Sequence, residues 1–320
     1  MKPFQCFYQQ DLKLESEIDA VRTTVWSQES SSLSNRMLSL LTDSRTPREM
    51  LNNNNGCVRC VIVGSGGIMK GTGLGSVIDG YDLVFRLNAA PIAGYESDVG
   101  SKTSMRVAYP EGTPSSYGDP GSLYALVSFK DKDFYGWRKS SRGRNRFTRV
   151  KSTSGFWKSV PTAMSKKPSE ARLVNPLVVR EASFDLIGFP VNNGIMSRNT
   201  PTTGTMLISM AIRMCDEVHV AGFGYDFSKP ELPIHYYENT KMKVIASHHT
   251  HNVPLEKQFL KKLVDLRRHQ RPDGRYSLGM RLEIVQEKQL ELSCTGKVPL
   301  NAGSHSLLCV AILLHSTPGF

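Results

Sequence analysis

Six short apolar runs, separated by helix-like or irregular segments, constrain the fold of this chain more than any other feature. The runs are VIVG, DLVFRLN, SMRVAY, LYALVSF, ARLVN and EVHVAGFG, and two helix-like segments, PLVVREASFDLIGF and PTTGTMLISMAIRMC, precede the last of them. Strands that alternate with helices indicate an α/β fold, because parallel strands need crossover connections. We therefore predict a single Rossmann-like α/β domain, with a mainly parallel sheet flanked by helices.

The composition changes at both ends of this pattern. Residues 1–56 contain the polar, low-complexity stretches SQESSSLSN and NNNNG, which are typical of a flexible, stem-like segment. Strands and helices fill residues 57–275, whereas residues 276–320 show no clear period. We predict a core domain at residues 57–275 and a divergent C-terminal tail at 276–320 outside it. No apolar run reaches the roughly 18 residues of a membrane-spanning helix.

The chain is basic, which bears on its ligands. Its 40 Lys and Arg residues against 29 Asp and Glu residues give a net charge of +11 at pH 7. Such an excess suits either a basic surface or an anionic ligand such as a nucleotide or a phosphate. The basic clusters at residues 138–149 and 261–271 lack interleaved aromatic residues in a pattern that suits base stacking, so we expect no nucleic-acid partner.

Three groups of small or polar residues follow predicted strands. The glycine turn (residues 64–67) follows VIVG, Asn88 closes DLVFRLN, and Gly222, Phe223 and Gly224 close EVHVAGFG. Ligands of open parallel sheets bind beyond the carboxyl ends of the strands, so these groups should face one crevice if their strands are neighbours. Glycine lets a ligand approach the backbone, and the Asn88 amide offers a donor and an acceptor. A tight turn without a ligand is the alternative for any single glycine cluster.

The glycine-rich stretch GSGGIMKGTGLGS does not spell a dinucleotide-binding fingerprint. Met69 and Ser76 stand at the two positions where GxGxxG would require a third glycine. A GxxxxGK[ST] phosphate loop cannot be read there either, because Gly71 is followed by Thr72. An NAD-dependent Rossmann enzyme is therefore a disfavoured alternative.

Two further features suit an anion and acid–base chemistry. Thr202 and Thr203 in PTTG begin a predicted helix, where free amides, the helix dipole and two hydroxyls favour a phosphate or carboxylate, although N-capping alone would explain one Thr. His235 in IHYYE and His251 in THNVPLE lie in polar loops and could supply an acid and a base. The DKD triplet at residues 131–133 is predicted to be a solvated surface loop, and we expect no metal site.

Four stretches, in order, resemble the motifs of the animal sialyltransferases, specifically the β-galactoside α2,3-sialyltransferases. The large motif resembles CVRCVIVGSGG…DLVFRLNAAPIAGYESDVGSKT, the small one PTTGTMLISMAIRMCDEVHVAGFGYD, the third HYYE and the very small one HNVPLE. The stretches YPEG, GFWKSV and GFPVNNGIMSRN are most similar to the Galβ1-3/4GlcNAc subgroup, and VGSGG is also similar to the lactosylceramide enzymes.

This resemblance implies a glycosyltransferase A-like variant of the Rossmann fold that transfers sialic acid from CMP-sialic acid to the 3-hydroxyl of a terminal galactose on glycoprotein or glycolipid glycans. It implies inversion, no metal and no cofactor other than the donor substrate. His251 would be the general base on the galactose hydroxyl, and His235 would steady the departing phosphate. A catalytically silent relative that binds only CMP-sugar is the alternative. The donor-binding residues implied by the motifs are Gly64, Ser65, Gly66, Gly67, Asn88, Thr202, Thr203, Gly204, Gly222, Phe223, Gly224 and Tyr236.

The family also implies a disulfide between Cys60 and Cys215, which precede two predicted strands at the sheet edge opposite the proposed site. Cys57 would pair with a stem cysteine, for which Cys6 is the only upstream choice. Such bonds imply an oxidising compartment, and the family resides in the Golgi lumen as type II membrane proteins. The family's membrane anchor has no match in this sequence, so we expect a soluble protein or a fragment.

Overall fold

The computed structural model contains every strand that the six apolar runs predict. The residues that it describes are 43–51, 57–114, 119–129, 133, 149–150, 156–161, 166–190, 200–223, 228–246, 250–265 and 309–313. The strands among them are β1 (Arg59–Val63), β2 (Leu83–Leu87), β3 (Met105–Ala108), β4 (Leu123–Leu126), β5 (Arg149–Val150), β6 (Val160–Pro161), β7 (Ala171–Leu173), β8 (Glu217–Ala221) and β9 (Cys309–Leu313).

Seven of these strands form the main sheet, in the order β7-β4-β3-β2-β1-β8-β9. Each neighbouring pair in this sheet is parallel, whereas β5 and β6 form a separate antiparallel pair. The predicted α/β fold with a parallel sheet is confirmed. The order also places β2, β1 and β8 side by side, so the loops after these three strands emerge at one edge of the sheet.

Short helices connect the strands and cover the sheet. They are α1 (Gly75–Asp79), α2 (Glu96–Val99), α3 (Pro176–Arg180), α4 (Thr203–Met214), α5 (Lys243–Ala246) and α6 (Val253–Asp265), and α3 continues into a π-helical segment at Glu181–Ile187. Within the described residues, three single turns of 3-10 helix occur at Gly67–Met69, Pro110–Gly112 and Pro168–Glu170. The long predicted helix PTTGTMLISMAIRMC is α4, and its amino end lies next to the loops that follow β2 and β8.

The central strands are buried on both faces, which explains their unbroken apolar sequences. Successive strand residues point to opposite faces, so Ile62 of β1 packs in one cluster with Met206 of α4, while Val61 and Val63 pack in a second cluster with Ile78 of α1. A half-exposed sheet would alternate polar and apolar residues instead. The unbroken apolar runs are therefore typical of a sheet that is covered by helices on both faces.

Strand β9 comes from the tail that the sequence analysis set apart at residues 276–320. Its residues Cys309–Leu313 pair in parallel with β8, from Glu217↔Cys309 to Ala221↔Leu313. The apolar run in this part of the chain had no clear period, and such a run does not distinguish a buried strand from a helix. Pairing with β9 supplies hydrogen-bond partners to a strand that would otherwise lie at the sheet edge.

Residues 43–51 of the predicted stem pack against the amino-terminal edge of the sheet. The Arg172 side chain of β7 is 0% exposed, and its Nε donates to the Arg45 carbonyl over 2.9 Å. Farther along, Arg48 forms an ion pair of 2.7 Å with Asp216, the residue before β8. A fully buried guanidinium is stable only when it is hydrogen-bonded, so this segment completes the burial of Arg172.

The disulfide between Cys60 and Cys215 lies at the same amino-terminal edge. Cys60 is the second residue of β1 and Cys215 follows the last residue of α4, and their Cα atoms are 6.0 Å apart. This confirms the pairing that the family resemblance implies and fastens α4 to β1 on the side opposite the carboxyl-end loops. Cys57 is disulfide-bonded as well, and its predicted partner Cys6 lies outside the described residues.

We predict that Cys60→Ser and Cys215→Ser each lower the free energy of unfolding by a similar amount, and that the double variant loses no more than either single one. Both positions contribute to one bond, which closes a loop of 155 residues. Constraint of the unfolded chain by such a loop contributes about 5 kcal/mol in the chain-entropy model. Denaturant unfolding of the three variants and the wild type measures these losses.

Measurement of all four proteins in a reductant serves as the control, because reduction breaks the Cys60–Cys215 bond of the wild type and should remove its advantage in stability over the variants. Losses that add in the double variant would show that each cysteine contributes separately, since changes at two ends of one bond are not additive.

Candidate active site

The loops that follow β1 and β8 cross each other at the carboxyl end of the sheet. The amide of Gly64 donates to the Ala221 carbonyl over 2.7 Å, and the amide of Gly66 donates to the Gly222 carbonyl over 3.0 Å. A third segment joins them, because the amide of Gly67 donates to Ile234 over 2.9 Å. The glycine turn is thus the point at which three chain segments are held together.

This crossing explains the glycines better than a ligand does. A Cβ atom on Gly64 or on Gly66 would lie 2.5 Å from the Gly222 carbonyl oxygen, and one on Gly67 would lie 2.3 Å from that of Pro233. Gly222 itself has a φ of +71°, a conformation that other residues rarely adopt. The backbone amides of Gly64, Gly66 and Gly67 already donate to protein carbonyls. A ligand could therefore contact the surface of the turn and the half-buried Ser65.

The second half of the glycine-rich stretch already binds an anion of the protein itself. The amides of Gly71 and Gly73 donate to the carboxylate of Asp98 in α2, over 2.8 and 3.0 Å. A carboxylate in this position organises the loop as a bound phosphate would, because both accept hydrogen bonds from backbone amides. The glycines that suggested a dinucleotide are therefore explained by an internal contact.

Asn88, which follows β2, combines an unusual backbone conformation with a buried polar atom. Its φ is +48°, and its backbone amide donates to the Val107 carbonyl over 2.8 Å. Its side-chain oxygen Oδ1 is buried and has no hydrogen-bond partner among the described residues. A Cβ atom on Gly112 would lie 2.5 Å from this oxygen, so only glycine fits beside it. A buried polar atom without a partner costs free energy, and a bound polar ligand would relieve that cost.

The amino end of α4 binds a carboxylate rather than offering an empty anion site. Thr202 is the N-cap of α4, and its amide and hydroxyl donate to the carboxylate of Glu256 over 2.9 and 2.5 Å. The Thr205 hydroxyl donates to the same carboxylate over 2.6 Å. Glu256 lies in the first turn of α6, so these contacts fix the start of α6 against the start of α4.

Burial controls the ionisation of Glu256, which is only 5% exposed. Burial raises the pKa of its carboxyl, while the hydrogen bonds from Thr202 and Thr205 and the proximity of His251 oppose that rise. The helix dipole of α4 also favours the ionised carboxylate at this position. Sequence analysis identified the motif that contains Glu256 but assigned this residue no role.

His251 lies two residues before α6 and is held by the segment before α4. Its Nδ1 lies 2.8 Å from the carbonyl oxygen of Thr200. A carbonyl oxygen can only accept, so Nδ1 must carry the proton and donate it. In the neutral ring, Nε2 is then the unprotonated nitrogen and can accept a proton.

His235 lies on the other side of the crossing loops, in a bridge with Gly66. Its ring stacks on that of Tyr237, with centroids 5.2 Å apart and an interplanar angle of 8°. Its Nδ1 is hydrogen-bonded to the carboxylate of Glu238, which leaves Nε2 to contact a ligand. Glu238 was not identified as a site residue from the sequence, although its i+3 spacing from His235 is visible in HYYE.

The remaining predicted donor residues differ in how they reach the crevice. Gly204 in α4 packs under Phe223, because a Cβ atom on it would lie 2.6 Å from the Phe223 ring. Thr203 is buried, and Gly224 lies outside the described residues. Tyr236 is 4% exposed, its hydroxyl donates to the Pro91 carbonyl over 2.5 Å, and burial raises its pKa to about 12. The Tyr236 hydroxyl thereby supports the turn after β2.

One expectation about the DKD triplet is wrong. Asp133 was predicted to be solvated, but it is 1% exposed and accepts a hydrogen bond of 2.7 Å from the Phe129 amide. It lies shortly after β4 and helps to hold the chain there. A short charged triplet does not reveal whether the backbone folds back over one of its carboxylates, which is why the sequence pattern gave the wrong exposure.

We predict that replacing Glu256 with Gln makes stability less dependent on pH. The pKa of Glu256 is raised in the folded state, so its ionisation costs stability as the pH rises from the ordinary Glu value through the folded value. Gln keeps the shape and cannot ionise. The free energy of unfolding of the variant, relative to that of the wild type, should therefore increase between pH 4 and pH 8 in urea titrations.

The matched control is Glu231→Gln, because the Glu231 side chain is 69% exposed and forms only a surface ion pair. The difference in free energy of unfolding between Glu231→Gln and the wild type should stay nearly constant between pH 4 and pH 8. A Glu256→Gln variant that becomes relatively less stable at high pH would contradict the raised pKa.

Comparison with known proteins agrees with the motifs of the sequence. The model of glycosyltransferase family 29 (sialyltransferase) matches residues 7–267. A CMP-N-acetylneuraminate-beta-1,4-galactoside alpha-2,3-sialyltransferase of Homo sapiens is 51% identical over 215 residues, which are 66% of this chain and 56% of that protein. The type 2 lactosamine alpha-2,3-sialyltransferase of Rattus norvegicus is 39% identical over 212 residues, or 65% of this chain and 62% of that protein.

The lactosylceramide alpha-2,3-sialyltransferase of Pan troglodytes is 38% identical over 213 residues, or 65% of this chain and 58% of that protein. The chain thus spans less than two thirds of the length of these relatives. A crystal structure of a mammalian sialyltransferase in complex with Gal-beta-1-3GalNAc-ortho-nitrophenol has a TM-score of 0.58 at 23% identity, covering 83% of this chain and 88% of that one, which supports the fold. The chain belongs to glycosyltransferase family 29, the sialyltransferase family.

Proposed function

We propose that this chain transfers sialic acid from CMP-sialic acid to the 3-hydroxyl of a terminal β-linked galactose, with inversion and without a metal ion. The observation that carries the proposal is the orientation of His251. Its Nδ1 is fixed as a donor by the Thr200 carbonyl, so Nε2 can act as the general base. The relatives named above are all α2,3-sialyltransferases, and the human one is named for a β1,4-galactoside, which supports the linkage and the galactose acceptor.

The proposed step is a direct displacement at the anomeric carbon of sialic acid. The galactose 3-oxygen forms the new bond to that carbon as its proton moves to Nε2 of His251. The bond from the anomeric carbon to the phosphate oxygen breaks, and its electron pair leaves with CMP. One displacement inverts the centre, so a β-linked donor gives an α-linked product.

His235 is proposed to bind the departing phosphate as an imidazolium, in which Nδ1–H donates to Glu238 and Nε2–H donates to a phosphate oxygen. Glu238 holds Nδ1 and Tyr237 supports the face of the ring, so the imidazole is oriented before the donor arrives. CMP leaves as a phosphate monoester with modest charge, and an oriented side-chain donor can stabilise it without a metal ion. A pyrophosphate leaving group would carry more charge and would favour Mg²⁺.

Asn88 is proposed to bind the nucleotide part of the donor, because its buried Oδ1 has no partner among the described residues. Phe223, Gly204 and Ser65 line the same edge of the sheet and complete the proposed donor pocket. The relatives are named for a β1,4-galactoside, a lactosamine and a lactosylceramide, and the proposal includes both glycoprotein and glycolipid acceptors.

The disulfides suit an oxidising compartment, and we propose the Golgi lumen as the site of action. Across the described residues, no helix combines the length and the apolar character needed to cross a bilayer.

We predict that His251→Ala lowers kcat by about 10²–10⁴-fold and leaves the affinity for CMP close to that of the wild type, because a base acts on the acceptor. His235→Ala should weaken CMP binding and lower kcat together, because its partner is the phosphate in both ground and transition states. Glu238→Gln should also weaken CMP binding and lower kcat, each by a smaller factor than His235→Ala does. Calorimetry with CMP and initial rates on a galactose-terminated acceptor measure these effects.

Glu231→Gln is the control for Glu238→Gln, because it makes the same substitution in the same segment on an exposed side chain. If His251→Ala binds CMP poorly and keeps its turnover at saturating donor, the two histidine roles are reversed. If neither histidine variant changes binding or rate, the proposed mechanism is wrong, and CMP binding without any transfer by the wild type would indicate a silent relative.

We predict that EDTA leaves the transfer rate unchanged, because the proposed leaving group is stabilised by His235 rather than by a cation. The assay compares initial rates before and after chelation, with added Mn²⁺ as the restoring control. Loss of activity in EDTA and its recovery with Mn²⁺ would contradict a metal-independent reaction.

A further inference from the structure

We propose that Arg106 is a positioning residue for the donor, which acts by holding Asn88 in its ligand-binding conformation. This inference rests on the proposed function, since it assumes that Asn88 contacts the nucleotide. Arg106 lies in the middle of β3, within the sheet, and is itself too deeply buried to serve as a surface cation. It was not identified from the sequence.

The guanidinium of Arg106 reaches the turn that follows β2 and binds its backbone. One nitrogen, Nη1, donates to the Asn88 carbonyl over 2.8 Å and to the Ala90 carbonyl over 3.1 Å. Two carbonyls held by one planar group fix the direction of the chain between them. The backbone of Asn88 is thereby fixed at both ends, because its amide donates to the Val107 carbonyl on the same strand as Arg106.

Asn88 needs such support because its conformation is unfavourable in two ways. Its φ of +48° is in the left-handed region, and its Oδ1 is buried without a partner among the described residues. Both features cost free energy in the unliganded protein and persist only where the surroundings impose them. The Arg106 contacts hold the backbone conformation that sets the direction of the Asn88 side chain.

Arg106 is in turn oriented by a buried polar network behind β3. Its Nε forms an ion pair of 2.5 Å with Asp119, which neutralises the guanidinium locally. The backbone around Asp119 is fixed by Lys166, whose Nζ donates to the Asp119 and Ser122 carbonyls over 2.7 and 2.9 Å. A guanidinium held on one side by a carboxylate presents its other nitrogens in a fixed direction.

Arg86 provides a matched comparison within the same sheet. It lies directly opposite Arg106 in the β2–β3 register and is also buried. Its guanidinium extends toward the amino end of β3, whereas that of Arg106 extends toward the turn after β2. It donates to the Gly100 and Lys102 carbonyls, over 3.1 and 2.8 Å. The two arginines therefore share burial, charge and bonding to backbone carbonyls, and only Arg106 contacts Asn88.

The experiment replaces each arginine by lysine in the full chain, which keeps the charge and removes the planar fork. Arg106→Lys should weaken CMP binding about tenfold, as expected for loss of a hydrogen bond to a charged group. It should raise KM for the donor more than it lowers kcat. Arg86→Lys should leave the CMP dissociation constant unchanged, and thermal unfolding without CMP reports any general loss of stability in both variants.

A double-variant cycle with Asn88→Ala tests whether Arg106 acts through Asn88. If it does, Arg106→Lys should weaken CMP binding no further in the Asn88→Ala background. Losses that add, or an equal loss in Arg86→Lys, would overturn the positioning role. If Arg106→Lys does not fold, Asp119→Asn replaces it in the cycle, with a smaller loss of CMP affinity that must again disappear in the Asn88→Ala background.

The same measurements separate failure of this inference from failure of the proposed function. A wild-type chain that does not bind CMP, or an Asn88→Ala variant that binds it normally, would contradict the assigned donor site and the role of Arg106 together. Normal CMP dependence on Asn88 with no dependence on Arg106 would contradict only the positioning role.

Discussion

The site depends on one close crossing of backbone segments at the carboxyl end of the sheet. The glycine turn after β1 binds the carbonyls of Ala221 at the end of β8 and of Gly222 after it, and the segment that carries His235 binds the same turn. At the three glycines of this turn, a single added methyl group would lie within about 2.5 Å of a carbonyl oxygen. Any larger residue there would separate the loops and move both His235 and Phe223, so the composition of the turn sets the position of the ligand-facing groups.

Internal carboxylates occupy two of the places that the sequence pattern reserved for a phosphate. Asp98 binds the amides of Gly71 and Gly73, and Glu256 binds the start of α4. These contacts stabilise loops and helix ends in the same way that an anionic ligand would.

Each histidine is held through its own Nδ1 atom, but the partners of the two rings differ. Nδ1 of His251 donates to a backbone carbonyl, and Nδ1 of His235 is hydrogen-bonded to the carboxylate of Glu238. In each case Nε2 is the nitrogen that remains for the substrate. Neither partner lies on the central sheet, so the orientation of each ring depends on loops whose relative position is set by α4, α6 and the glycine crossing.

The sequence alone determined the parallel sheet, the strands from β1 to β4 with β7 and β8, the helix α4 and the family, because apolar runs and ordered motifs are local signals. It also indicated His235, His251 and Asn88 as site residues. The pairing of β9, the burial of Asp133, and the contacts of Glu238 and Arg106 were decided by tertiary structure. Each of these depends on which segments meet in space, and a buried ion pair such as Arg106–Asp119 has no spacing in the chain that identifies it.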